Sequence, residues 1–193
     1  MLEYKGFEVF CDGGGSVRVR DKEFTVAVDP SSGGPSFEAA IVLVTSTERG
    51  DLDRDRLKQV CGRGTCVVLP DELEGMSVPC PDVEFLSPGE AVDIYSVEIS
   101  AMKSSEGLAY CFDMRGTSFF VSGDTEKFAD PMEFENLVDL AFFSASESVD
   151  LEKAVRNAVK IKPDVVLPYL YSERSLDGFK AELEDRNIKC RRE

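Results

Sequence analysis

The side chains of this 193-residue chain that could do chemistry are carboxylates, hydroxyls and thiols, because it contains no histidine. Histidine is the commonest metal ligand and the usual general base near neutral pH, so its absence excludes Ser/His/Asp and Cys/His nucleophilic triads. Carboxylates crowd one stretch, with Glu48, Asp51, Asp53 and Asp55, and Asp124 stands in the turn Ser122-Gly123-Asp124-Thr125. The first group opens a predicted helix, where Asp51 and Asp53 face the positive end of its dipole, a structural use of their charge. Gly13-Gly14-Gly15 lacks the Gly-Lys-Ser/Thr ending of a phosphate loop and leads into a strand, so it reads as a turn. Of the cysteines, Cys11, Cys61, Cys66, Cys80, Cys111 and Cys190, none forms a C-x-x-C pair, and Cys61 to Cys66 is only a C-x4-C. All six read as ordinary thiols in a reducing compartment, Cys66 and Cys111 as small hydrophobes inside strands.

The elements that must position these groups follow from the apolar pattern. Phe7–Phe10, Ser16–Arg20 and Phe24–Val28 form an antiparallel meander, broken by the glycine turn and by Asp21-Lys22-Glu23. After the loop Asp29–Pro35, the run Ala39–Val44 is a strand buried on both faces. A helix over Asp53–Val60, a strand at Cys66–Leu69 and a Pro-rich connection through Pro79, Pro81 and Pro88 come next. Strands follow at Ala91–Ile99, Gly107–Met114 and Thr117–Val121, with Arg115-Gly116 as a hairpin turn. Strand Val138–Phe143, a helix with Asp150 as N-cap and Pro163 as stop, strand Val165–Tyr169 and helix Leu176–Arg186 complete the chain. Two β-rich stretches, each finished by strand and helix, predict a single α/β domain over 1–193 with two mixed sheets face to face and helices outside, a four-layer αββα sandwich.

Composition sets the class of partner. The chain is 42% hydrophobic and 31% charged, as a soluble globular protein is, and its formal net charge is −15. No apolar run reaches the roughly 20 residues that span a bilayer, and the amino terminus lacks a signal-peptide pattern, so a cytoplasmic location is expected. The acidity repels phosphate backbones and anionic membranes, which excludes nucleic-acid and membrane binding as main functions; the tail Lys189, Arg191, Arg192 is the one basic cluster.

Five short stretches, in order, resemble the metallo-β-lactamase superfamily, in particular its short, single-domain, lactonase-like zinc hydrolases. They are Cys11-Asp12-Gly13-Gly14-Gly15-Ser16, Val28-Asp29-Pro30, Thr45-Ser46-Thr47-Glu48-Arg49-Gly50-Asp51, Ser122-Gly123-Asp124-Thr125 and Pro168-Tyr169-Leu170-Tyr171. In that family they read as a W-L-G-H-A-S type turn, D-P, T-H-x-H-x-D-H, S/A-G-D-T and P-Y-H-Y. The resemblance implies a site for one or two metal ions that lower the pKa of bound water and supply hydroxide to a carbonyl or phosphorus centre. Mapped onto it, the histidine positions of the long motif become Ser46, Glu48 and Asp51, its aspartate becomes Gly50, the early-turn histidine Gly14 and the last histidine Leu170. Asp124 alone keeps its identity. The position of the middle histidine is not assigned, because the loop Ala101–Glu106 is shortened.

The resemblance thus implies a vestigial cleft at Gly14, Ser46, Glu48, Gly50, Asp51, Asp124 and Leu170, with no zinc, no catalytic residue and an unidentified ligand. The expected protein is a pseudoenzyme that binds a ligand, pairs with itself or pairs with an active paralogue. The rival reading is a hydrolase of a phosphate ester or lactone that uses Mg²⁺ or Mn²⁺ held by the oxygens of Glu48, Asp51 and Asp124. Without a cation, crowded carboxylates in that cleft would raise one another's pKa. Asp29 and Asp124 equally suit a structural role, accepting backbone hydrogen bonds in their turns.

Overall fold

The computed structural model describes residues 1–12, 14–47, 52–104, 107–123, 137–146 and 150–192, apart from the Arg174 side chain. They form two compact units, Met1–Ser87 and Pro88–Arg192. The first unit is a seven-stranded sheet whose spatial order follows the chain: β1 (Leu2–Tyr4), β2 (Phe7–Cys11), β3 (Val17–Arg20), β4 (Thr25–Val28), β5 (Ala39–Leu43), β6 (Cys61–Pro70) and β7 (Asp82–Leu86). β1 to β4 pair antiparallel and β4 to β7 parallel. Parallel neighbours need a crossover, which the short helix α1 (Arg54–Val60) provides between β5 and β6.

Register explains why β4, β5 and most of β6 read as unbroken apolar runs. One row across the sheet, Val9, Val19, Val26, Ile41 and Cys66, is buried. The opposite face carries Ala27, Val42 and Val67, which pack with Leu57 and Val60 of α1 and with Leu73 and Met76 of the segment after β6.

The second unit is a six-stranded sheet of β8 (Ala91–Ile94), β9 (Val97–Lys103), β10 (Leu108–Met114), β11 (Thr117–Val121), β12 (Leu140–Ser144) and β13 (Val165–Tyr169). β8 to β11 are antiparallel and β11 to β13 parallel. Helix α2 (Leu151–Ile161) crosses from β12 to β13 and α3 (Glu173–Glu184) follows. Ala154, Val155, Ala158 and Ile161 of α2 and Phe179 and Leu183 of α3 lie over Phe120, Ala141, Phe143 and Val166. Asp150 caps α2, as its sequence predicts, and the helix ends at Lys162 in a left-handed conformation, φ 53°, just before Pro163. Beyond β13, Val166 bonds backbone to backbone with Lys189 and Arg191, so the carboxyl tail closes that sheet edge. No helix among the described residues is long and apolar enough to cross a membrane.

Four sequence expectations change. The stretch Ala91–Ile99 is a hairpin rather than one strand, because Tyr95 and Ser96 take φ 54° and 62° and the Asp93 carboxylate accepts from Ser96 N at 3.2 Å. The segment read as a loop from Ala101 is strand through Lys103, which pairs with Leu108. The Pro-rich connection contains β7, a half-exposed edge strand. The cysteines are not all thiols: Cys61 and Cys80 form a disulfide with Cα atoms 5.7 Å apart. That proximity depends on α1 delivering Cys61 beside the segment after β6, which spacing in the sequence does not reveal.

Candidate functional site

The motifs at or just beyond the ends of β4, β5, β11 and β13 leave parallel strands, the position at which open α/β sheets gather functional groups, whereas Cys11–Ser16 joins the antiparallel strands β2 and β3. In the first unit the chain leaves β4 at Asp29, whose φ is 44°. This left-handed turn lets the Asp29 carboxylate accept from Thr45 N at 2.8 Å and Thr45 Oγ1 at 2.6 Å, while its own N–H donates to Leu43 O at 2.9 Å. Asp29 therefore locks the end of β4 to the start of the Thr45–Asp51 motif, the structural role its sequence allowed.

The loop that follows is anchored along its length. The Ser32 hydroxyl bonds the Asp53 carboxylate, which also accepts from Arg56 N at 2.8 Å as N-cap of α1. These hydrogen bonds, the one from Ser32 foremost, hold the Asp53 carboxyl below its ordinary pKa. Arg56 Nη2 donates to Pro35 O at 2.6 Å. Two guanidiniums stand over Phe37, Arg18 at 4.5 Å and Arg56 at 5.2 Å from its ring centre. Arg18 also stacks on Phe10 at 4.2 Å, and Arg20 reaches the same ring at 5.5 Å.

Register produces this ladder: Phe10, Arg18 and Ala27 are cross-strand partners on the face that α1 covers, and Ala27 is too small to fill the space beside Arg18. Both central arginines are buried, Arg18 at 6% and Arg56 at 4% exposure, so their charges need partners. Arg18 has a two-toothed ion pair with Asp12, including Nη2 to Oδ1 at 2.8 Å. Arg56 has the Pro35 carbonyl, Gln59 Oε1 at 3.1 Å and the Phe37 ring. The sequence pattern does not single out Arg18, Phe37 or Arg56: β3 (Val17–Arg20) alternates Val and Arg as a half-exposed strand does, although Arg18 is buried and Arg20 exposed.

In the second unit the ends of β11, β12 and β13 carry hydroxyls. Buried Ser122 donates to Gly123 O at 2.7 Å and accepts from Ser144 N at 3.2 Å. Ala145 N donates to Tyr169 O at 3.0 Å, fixing the exit of β12 against that of β13. Leu170 follows with φ 52°. Arg192 stacks on Tyr171 at 5.6 Å and grips Glu173 through Nη2 at 2.6 Å, so the carboxyl tail also steadies the Pro168–Tyr171 motif.

Of the predicted cleft, Gly14 and Ser46 belong to the first unit and Leu170 to the second, whereas Glu48, Gly50, Asp51 and Asp124 lie outside the described residues. Ser46 is half-buried beyond β5. Gly14 has φ 55°, where any other side chain is strained, and a Cβ there would meet Ser31 Oγ at 2.7 Å and Ser31 Cβ at 3.1 Å, so the Ser31 side chain would have to shift to admit one. Leu170 presents no donor atom to any metal. The donor set therefore does not fit the histidine-held zinc centre that the fold family implies. Among the described residues no three Cys, Asp or Glu side chains gather as a metal site. Asp53 caps α1 and Asp55 pairs with Lys58 at 2.7 Å.

No protein-family model matches the sequence, and no curated protein matches it. Solved structures do. A candidate metal-dependent hydrolase from Parabacteroides distasonis is 20% identical, with a TM-score of 0.83 over 96% of this chain and 92% of that one. Igni18, a metallo hydrolase from the hyperthermophilic archaeon Ignicoccus hospitalis, is 14% identical, with a TM-score of 0.77 over 97% and 94%. The metallo-β-lactamase fold protein YhfI from Bacillus subtilis is 12% identical, with a TM-score of 0.72 over 95% and 93%. The chain has the metallo-β-lactamase fold, as its motifs implied. At such identities the likeness carries the fold and leaves the activity to the site itself.

Proposed function

We propose that this chain is a zinc-free member of the metallo-β-lactamase fold that works as a ligand-binding or assembly module in the cytoplasm, not as a histidine-dependent hydrolase. The observation that carries this reading is Leu170: the last metal-ligand position of the family, at the exit of β13, holds a side chain with no donor atom. Gly14 supports it, because it has no side chain and its left-handed backbone strains any that would replace it. Two of the similar structures are described as hydrolases that use metals. Such chemistry needs ligands that hold the ion while leaving a coordination position open for water. Here the strand ends instead offer hydroxyls and backbone groups held by Asp29, Ser32, Asp53, Arg56 and Phe37, a loop stiff enough to recognise a polar ligand by hydrogen bonds without hydrolysing it. The natural protein partner is a second copy or an active paralogue.

Thermal melts with Zn²⁺, Mn²⁺, Mg²⁺ and EDTA test this, since anything that binds only the folded state raises the melting temperature. The expected outcome is no shift with any of the four. A rise of several degrees with Mn²⁺ or Mg²⁺, removed by EDTA and by Asp124→Asn, would replace this reading with a hydrolase using Glu48, Asp51 and Asp124.

A further inference from the structure

The disulfide ties the start of β6 to the residues just ahead of β7, beside the ladder in which those two strands pair from Cys66 and Asp82 onward. Cys61 is the C-cap of α1, and Cys80 lies just ahead of β7. Between β6 and β7 the chain makes a short 3-10 turn at Asp71–Leu73 and lays Leu73 and Met76 against Leu57 and Val60 of α1. That segment and α1 together close one face of the first sheet. α1 has only 7 residues, far too few to be stable alone. Its amino end is fixed by Asp53 to Ser32 and its middle by Arg56 to Pro35, and its carboxyl end runs into β6 at Cys61, which pairs with Ala39 and carries the disulfide.

The cysteines differ in reach. Cys61 and Cys80 are half-buried, open to a small reductant. Burial, helped by Asp113 and Glu98, pushes the Cys111 thiol up to about 12. Burial, with Glu84 and Asp82, pushes Cys66 up to about 11, and Cys190 also reaches about 11, again chiefly through burial. These thiols are poor nucleophiles at neutral pH and do not compete for exchange.

We propose that Cys61–Cys80 is a redox-responsive clamp on the 71–81 segment and α1, opened by a cellular dithiol. In the reaction a thiolate of the dithiol attacks one sulfur and its second thiol resolves the mixed disulfide. The protein gains two electrons and two protons as two thiols, and the dithiol leaves as its own disulfide. Opening removes the covalent tie between the end of the 71–81 segment and the residue that follows α1, and so loosens the packing of Leu73 and Met76 on Leu57 and Val60 and, through α1, its contacts with the loop at Ser32 and Pro35. The clamp stands whether or not that loop binds a ligand, and it makes the loop's order depend on redox state.

The full-length protein, purified without reductant and denatured, should alkylate at four of its six cysteines, with a linked Cys61–Cys80 peptide found by mass spectrometry. On dithiothreitol treatment, backbone amides of 53–60 and 71–81 should exchange hydrogen about tenfold faster or more, while α2 is unchanged. Cys61→Ser/Cys80→Ser should show the same exchange without reductant. Six free thiols, a different linked pair, or exchange that does not respond to reduction would each overturn the clamp. Because reduced wild-type protein gives the same readout, a misfolded double variant would not obscure the answer.

Discussion

The two units change from antiparallel to parallel pairing at matching points, β4–β5 in one and β11–β12 in the other, yet they cover their helix-side faces differently. In Pro88–Arg192 two helices of 11 and 12 residues pack on the sheet with Phe179 and Leu183 in their contact. In Met1–Ser87 the helix has 7 residues, and the remaining cover is a loop segment held by a disulfide and an arginine–phenylalanine ladder. The antiparallel strands diverge in the same way. β2 and β3 place Phe10 and Arg18 side by side on that face; β9 and β10 place Glu98 opposite Asp113, with Asp93 beyond. Like charges directly opposite one another cost stability, which a strand face open to water tolerates and a covered one does not. One topology thus accepts either a helical cover that buries apolar area or local ties that hold a short helix and a long loop. The unit with the ties is the one that carries the locked loop.

The largest effect should come from the helical cover. Phe179→Ala is expected to cost about 4 kcal/mol in denaturant unfolding, because it empties a fully buried site between α3 and the sheet. Arg18→Met should cost about 3 kcal/mol by leaving Asp12 charged and buried, and Arg18→Met/Asp12→Leu should recover most of it. Additive losses in that double variant would mean that the ladder, not the ion pair, carries the energy. Asp53→Ala should cost about 1 kcal/mol through the lost cap and increase hydrogen exchange in α1, with little change in α2. The Asp53 carboxyl is held below its ordinary value, so its contribution is present above that value and is lost as pH falls through the folded one.

The smallest effect lies at high pH. Cys66, Cys111 and Cys190 keep protons in the folded state that the unfolded chain releases near its ordinary thiol value of about 9. Their contribution is fully present below that pH and is lost as pH rises toward the folded values of about 11 to 12. Cys111→Ala should make the fall in melting temperature above pH 9 shallower than in the wild type. An unchanged slope would show that this thiol is not shielded.

Much of this architecture was legible from local pattern. The runs at Ala39–Val44 and Val165–Tyr169 and the spacing of Leu151, Ala154, Val155 and Ala158 announced β5, β13 and α2, because burial on two faces or on one helical stripe leaves a periodic mark. The turn at Tyr95-Ser96 left none: neither residue is glycine, and the left-handed backbone is set by the hairpin and by Asp93. The disulfide and the contacts of Arg18 and Arg56 with Phe37 were invisible for a different reason, since they join residues far apart in sequence. For the candidate site the sequence offered only a set of replacements, with Leu170 and Gly14 assigned from motif flanks. That Gly14 has the left-handed backbone, with the Ser31 side chain beside it, needed the fold.

The central claim is that the strand ends do not form a zinc centre. Its most direct test is the metal content of the full-length protein, produced in zinc-supplemented medium, desalted and measured by plasma mass spectrometry beside a histidine-bearing relative of the same fold. The account predicts well under one zinc per ten chains for this protein; close to one or two per chain, retained through desalting, would contradict it.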